Sequence, residues 1–73
     1  MKVFSKAKMI ERVQREGRAH MLDRQTLKIM DMLDGKEVRK NDFKSLIYDE
    51  LEYFVTHNGE SYPINPHDCV DKQ

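Results

Sequence analysis

Cys69 is the single thiol of this 73-residue chain, and it stands two positions after His67. With Asp68 between them and His57 upstream, these residues are the set from which a metal site or a thiol–imidazole pair can be drawn. Zinc sites announce themselves by two paired ligand motifs, and here only one loose pair, His67-x-Cys69, is present. The plainer reading is a surface histidine and a half-buried cysteine, so no metal is expected. Nucleophilic catalysis needs a nucleophile beside an oriented base. Ser5 reads as a helix cap, and Ser45 and Ser61 fall in strand patterns with no nucleophile elbow around them. The carboxylates of Asp49-Glu50-x-Glu52 read as a solvated loop. Gly17, Gly35 and Gly59 are isolated punctuation rather than a phosphate-binding loop. The expectation is a protein that is not an enzyme and uses no cofactor.

A second group of residues can bind rather than react. Lys6, Lys8, Arg12, Arg15 and Arg18, with Lys2 and Arg24 nearby, can meet phosphates, and Tyr48, Phe54 or Tyr62 can stack on bases. Glu11 and Glu16 interrupt that stripe, so the solvated face of an amphipathic helix is the simpler reading. Asp42, Asp49, Glu50, Glu52 and Glu60 form an acidic counterpart. It can engage a basic partner or, more plainly, charge a sheet edge against strand addition. The formal net charge is zero, yet residues 1–40 hold eleven Lys or Arg against six Asp or Glu, while residues 41–73 hold two against seven. A neutral total argues against a general nucleic-acid sink and leaves room for a basic patch.

The elements that must position these side chains are legible from periodicity. Ser5 is an N-cap for a helix over 6–16, with Phe4 and Met9 at the hydrophobic-staple positions and Gly17 at the C-terminal left-handed position. Asp23 caps a second helix, with Leu22 and Leu27 at its staple positions, Leu27, Met30 and Leu33 recurring along it and Asp34-Gly35 ending it. Residues 18–22 read as a connector, since Gly17 inside one long helix costs about 1 kcal/mol relative to Ala. After Gly35 the period changes to two. A weak strand is predicted around Val38, a turn at Asn41-Asp42, and strands over 43–48 and 51–57. Asn58-Gly59 suits a two-residue type I′ turn. Folding there pairs His57 with Glu60, Val55 with Tyr62, Tyr53 with Ile64, and Phe54 with Pro63. Pro63 places its strand at a sheet edge. Residues 71–73 are expected to fray.

The fold class that follows is α+β: two N-terminal helices packed on one antiparallel sheet of three or four strands, closed by a C-terminal hairpin. The expected core is Ile10, Val13, Leu27, Met30, Leu33, Leu46, Val55 and Ile64. Seventy-three residues make a single domain, 1–73. Such a chain buries only about 60% of its unfolded surface. Apolar residues are 38% of it and charged residues 36%, which is too apolar for a disordered segment and thin for a core. A lone cysteine excludes an internal disulfide and fits a reducing compartment. No apolar run reaches the roughly 20 residues of a membrane span, and Lys6 and Lys8 break any signal-peptide core. A cytoplasmic protein is expected.

One sheet face, with Tyr53, Val55, Tyr62 and Ile64, can be covered by the helices. The other face carries Phe43, Ile47, Phe54 and Pro63, rimmed by Glu50 and Glu52, and no third helix remains to cover it. An exposed apolar patch of a few hundred Å² marks an interface. This face is therefore predicted either to form a symmetric homodimer or to dock a protein partner, unless the sheet curls into a small barrel.

The charged N-terminal helix, then Leu33-Asp34-Gly35-Lys36-Glu37-Val38, then Tyr62-Pro63-Ile64-Asn65-Pro66 and Cys69 near the end, resemble small proteins encoded by phages and prophages of Gram-positive bacteria. That resemblance implies a bacterial cytoplasm and an accessory role, binding and redirecting a host or phage macromolecule; it transfers no functional residue. The expected function is a non-catalytic protein-binding module, with a small nucleic-acid-binding protein using the first helix as the alternative.

Overall fold

Ser5 starts the first helix as its capping pattern predicts. The computed structural model, which describes residues 1–40 and 53–72, places α1 at Lys6–Arg15, with the Ser5 hydroxyl accepting from the Lys8 N–H at 3.3 Å. Met9 packs against the core cluster that contains Phe4. At the other end Gly17 adopts a φ of 72°. Its N–H reaches the Gln14 carbonyl at 3.1 Å, and the Arg18 N–H reaches the Val13 carbonyl at 2.8 Å, the paired bonds of a Schellman ending. A short 3-10 turn at Ala19–Met21 makes residues 18–22 a connector between two helices. The second helix, α2, spans Arg24–Leu33, and the Asp23 carboxylate caps it by accepting from the Thr26 N–H at 2.7 Å. No helix among the described residues is long and apolar enough to cross a membrane.

Five strands are described: β1 at Lys2–Phe4, β2 at Arg39–Lys40, β3 at Tyr53–His57, β4 at Glu60–Ile64 and β5 at Cys69–Asp71. They form two antiparallel sheets, β1–β5 and β2–β3–β4. The hairpin has the predicted register, His57↔Glu60, Val55↔Tyr62, Phe54↔Pro63 and Tyr53↔Ile64. Its turn residues Asn58 and Gly59 carry φ of 51° and 78°, the positive pair a type I′ turn requires. Pro63 lies in β4, an outer strand of its sheet among the described residues.

The N-terminal strand was not foreseen, and it organises the molecule. One edge of β1 pairs with β5 as Lys2↔Asp71, Val3↔Val70 and Phe4↔Cys69. The other edge meets the chain that leaves α2: the Phe4 N–H donates to the Lys36 carbonyl at 3.0 Å, and the Phe4 carbonyl accepts from Gly35 at 2.8 Å. The Lys2 carbonyl accepts from Val38 at 2.9 Å. Strand β1 is thus hydrogen-bonded on both sides, which is why Val3 and Phe4 are buried.

The differences from expectation share one cause. Three-residue strands are too short to show a period of two, so a second, two-stranded sheet went unseen. Of residues 71–73, expected to fray, Asp71 is paired with Lys2 and the Lys72 N–H donates to the Met1 carbonyl at 2.8 Å, while Gln73 lies outside the described residues. The core cluster is Phe4, Leu33, Val38, Val55 and Ile64, with Val3 and Val13 also buried. Of the expected core, Val13, Leu33, Val55 and Ile64 are buried. Ile10, Leu27 and Met30 are only half-buried, because Val3, Phe4 and Val38 take up core positions. Leu46, the turn at 41–42 and the strand at 43–48 lie outside the described residues.

Candidate functional site

A helix repeat puts Lys8, Glu11, Arg12 and Arg15 on one side of α1. Against them the tertiary fold sets His67, from a 3-10 turn at Pro66–Asp68, and the five residues line a groove of about 260 Å³. The turn is held by Asn65, whose side-chain oxygen accepts from the His67 N–H at 2.9 Å, and by Pro66 at its first position.

Arg12 anchors the groove floor. Its Nε donates to Asp68 Oδ1 at 2.7 Å and its Nη2 to Asp68 Oδ2 at 3.0 Å, a planar two-point contact. Nη1 donates to Glu16 at 3.0 Å. Hydrogen bonding to Asp68 holds the guanidinium above its ordinary pKa, against the opposing effect of burial, with the charges of Asp68 and Glu16 adding to it. Asp68 is 3% exposed, and its backbone carbonyl accepts from the Ser5 N–H at 2.8 Å. Both its side chain and its backbone therefore tie the end of the chain to the start of α1.

That arrangement changes what the basic residues can do. Lys6 is paired with Asp31 at 2.7 Å and Arg12 with Asp68, while Arg18 stands 3.9 Å from Glu16. Of the five predicted phosphate contacts, Lys8 and Arg15 have no ion-pair partner among the described residues, and Glu11 sits between them in the groove. Each neutralised phosphate adds about 0.9 to the salt slope of duplex binding. Two such contacts would give a shallow salt dependence.

The surroundings of Cys69 favour its neutral thiol over the thiolate. The residue is half-buried in β5, with its Sγ 3.8 Å from the Asn65 carbonyl oxygen. Burial pushes the thiol pKa up, and the neighbouring Asp68 charge pushes the same way. The reactive species is the thiolate, which this environment disfavours. His57 lies at the hairpin end of β3 and His67 beside α1. Among the described residues no group of three or more His, Cys, Asp or Glu side chains comes close enough to share a metal ion.

On the sheet β2–β3–β4, Val55 and Ile64 point to the core, so alternation turns Phe54 and Pro63 to the opposite face. Arg39 pairs with Phe54 and joins them, which gives a row Arg39–Phe54–Pro63 across all three strands. Arg39 and Pro63 are exposed and Phe54 is half-buried. The other predicted members of this surface, Phe43, Ile47, Glu50 and Glu52, lie outside the described residues. Arg39 was missed because its place depends on a two-residue strand. His67 and Asp68 were missed as neighbours of α1 because nothing local links positions 56 residues apart.

Neither a family model, nor a curated protein, nor a solved structure matches this chain.

Proposed function

We propose that this chain is a non-catalytic protein-binding module that docks a partner through the outer face of its hairpin sheet, with Phe54 at the centre. The supporting observation is the row Arg39–Phe54–Pro63. Phenylalanine and arginine are both enriched at protein interfaces relative to the rest of the surface. Pro63 lacks a backbone donor, which disfavours strand addition at β4 and leaves recognition to side chains. The resemblance to small phage and prophage proteins agrees with an accessory role in a bacterial cytoplasm, where the module modulates a host or phage macromolecule. The nucleic-acid alternative is weakened because Lys6, Arg12 and Arg18 each face a carboxylate of the same chain.

The test is affinity capture from a Gram-positive host lysate, comparing wild type with Phe54→Glu and with Lys8→Glu/Arg15→Glu. Wild type and the α1 variant should retain the same protein in stoichiometric amount, and Phe54→Glu should lose it with little change in Tm. Equal capture by wild type and Phe54→Glu rejects the sheet face. If a gel shift instead shows sub-micromolar, steeply salt-dependent nucleic-acid binding that the α1 variant loses, the alternative replaces this reading.

A further inference from the structure

The side of α2 turned from the core carries Arg24, Leu27, Lys28 and Asp31, which line a shallow groove of about 500 Å³. Ile29, Met30 and Leu33 of the same helix pack on or within the core cluster, so the repeat of 3.6 residues places this stripe on the opposite side. Leu27, expected in the core, is a half-buried member of the stripe.

The order of these four residues is symmetric in charge. Positions 24 and 31, like 27 and 28, are equidistant from the midpoint between residues 27 and 28. Two copies of α2 lying antiparallel about a two-fold axis through that midpoint set Arg24 of each against Asp31 of the other. Leu27 of each then meets the aliphatic stem of Lys28, which can cover it while its ammonium stays in water. A two-fold interface must be complementary to itself, and this stripe is. Asp31 meets Lys6 of its own chain through Oδ1, yet its side chain remains 71% exposed, within reach of a second cation.

We propose that α2 is a self-association surface whose occupant is a second copy of this chain, packed antiparallel. A ten-residue helix is only about 15 Å long, so the contact falls below the standard interface size and the dimer is weak and concentration-dependent. Its consequence would be avidity, since a dimer carries two Phe54 faces.

Sedimentation equilibrium tests this at concentrations up to about 1 mM, where even a contact at the weak end of the affinity scale is populated. Wild type should show a mass rising from monomer toward dimer. Arg24→Asp alone and Asp31→Arg alone should both stay monomeric, each setting like charges together twice, with circular dichroism confirming that both are folded. An equimolar mixture of the two variants should associate again, because every cross contact then joins opposite charges. A wild type that is monomeric throughout, single variants that associate like wild type, or a mixture that stays monomeric would each overturn the proposal. Phe54→Glu should leave self-association unchanged; loss of the dimer in that variant would move the interface to the sheet and refute α2.

Discussion

Arg12 and Asp68, 56 positions apart in the chain, meet through two parallel hydrogen bonds of 2.7 and 3.0 Å at the edge of the core. They join the middle of α1 to the turn before β5, so the last strand is held both by its ladder to β1 and by this contact. The Asp68 side chain is 4% exposed and that of Arg12 15%. The two ends of the pair therefore differ in what removal exposes them to.

Arg12→Ala leaves a buried carboxylate without its main donors and should cost about 3–5 kcal/mol. Asp68→Ala leaves a guanidinium that still has Glu16 and partial access to water, and should cost about 1–3 kcal/mol. Urea unfolding of the two variants measures this. Equal losses would show that the carboxylate is not the more dependent partner.

Phe4→Ala should cost about 3–5 kcal/mol, the usual loss for a fully enclosed aromatic. A chain of this length has on the order of 4–11 kcal/mol in total at 0.05–0.15 kcal/mol per residue. The variant should therefore lose a large share of its stability, read as a clearly lower urea midpoint. An unchanged midpoint would contradict the central placing of β1.

Gly59→Ala tests the hairpin turn without any packing effect, because a Cβ at that position meets nothing within 4 Å. The cost comes only from φ of 78° and should be about 1 kcal/mol, seen as a lower Tm. An unchanged Tm would exclude the type I′ geometry.

Cys69 carries a pH dependence whose sign can be worked out. Its folded pKa is raised by burial first and by Asp68 second. The folded state thus favours the neutral thiol, and the contribution is complete below the unfolded value of about 8.5 and is lost as pH rises through the folded pKa. Stability should fall between pH 8.5 and the folded value in wild type, and fall less in Cys69→Ala. At pH 8, iodoacetamide should alkylate the native protein more slowly than the urea-unfolded one. Equal alkylation rates would refute a half-buried, protonated thiol.

What the sequence determined by itself is everything encoded within a few residues: the caps at Ser5 and Asp23, the glycine ending after α1, and the Asn58-Gly59 hairpin with its full register. These are decided by short-range hydrogen bonds and by φ preferences, which the residue types themselves carry. The two helices and the α+β class follow from the same signals. Tertiary structure alone decided that Lys2–Phe4 would become a doubly bonded strand, that Val38 would be buried in the core while Leu27 is only half-buried, and that Arg12 would pair with Asp68. Each of those outcomes depends on which distant backbone or carboxylate arrives beside a residue. A three-residue strand has no periodicity to announce it, and an arginine on an amphipathic helix looks the same in sequence whether water or a buried aspartate receives it.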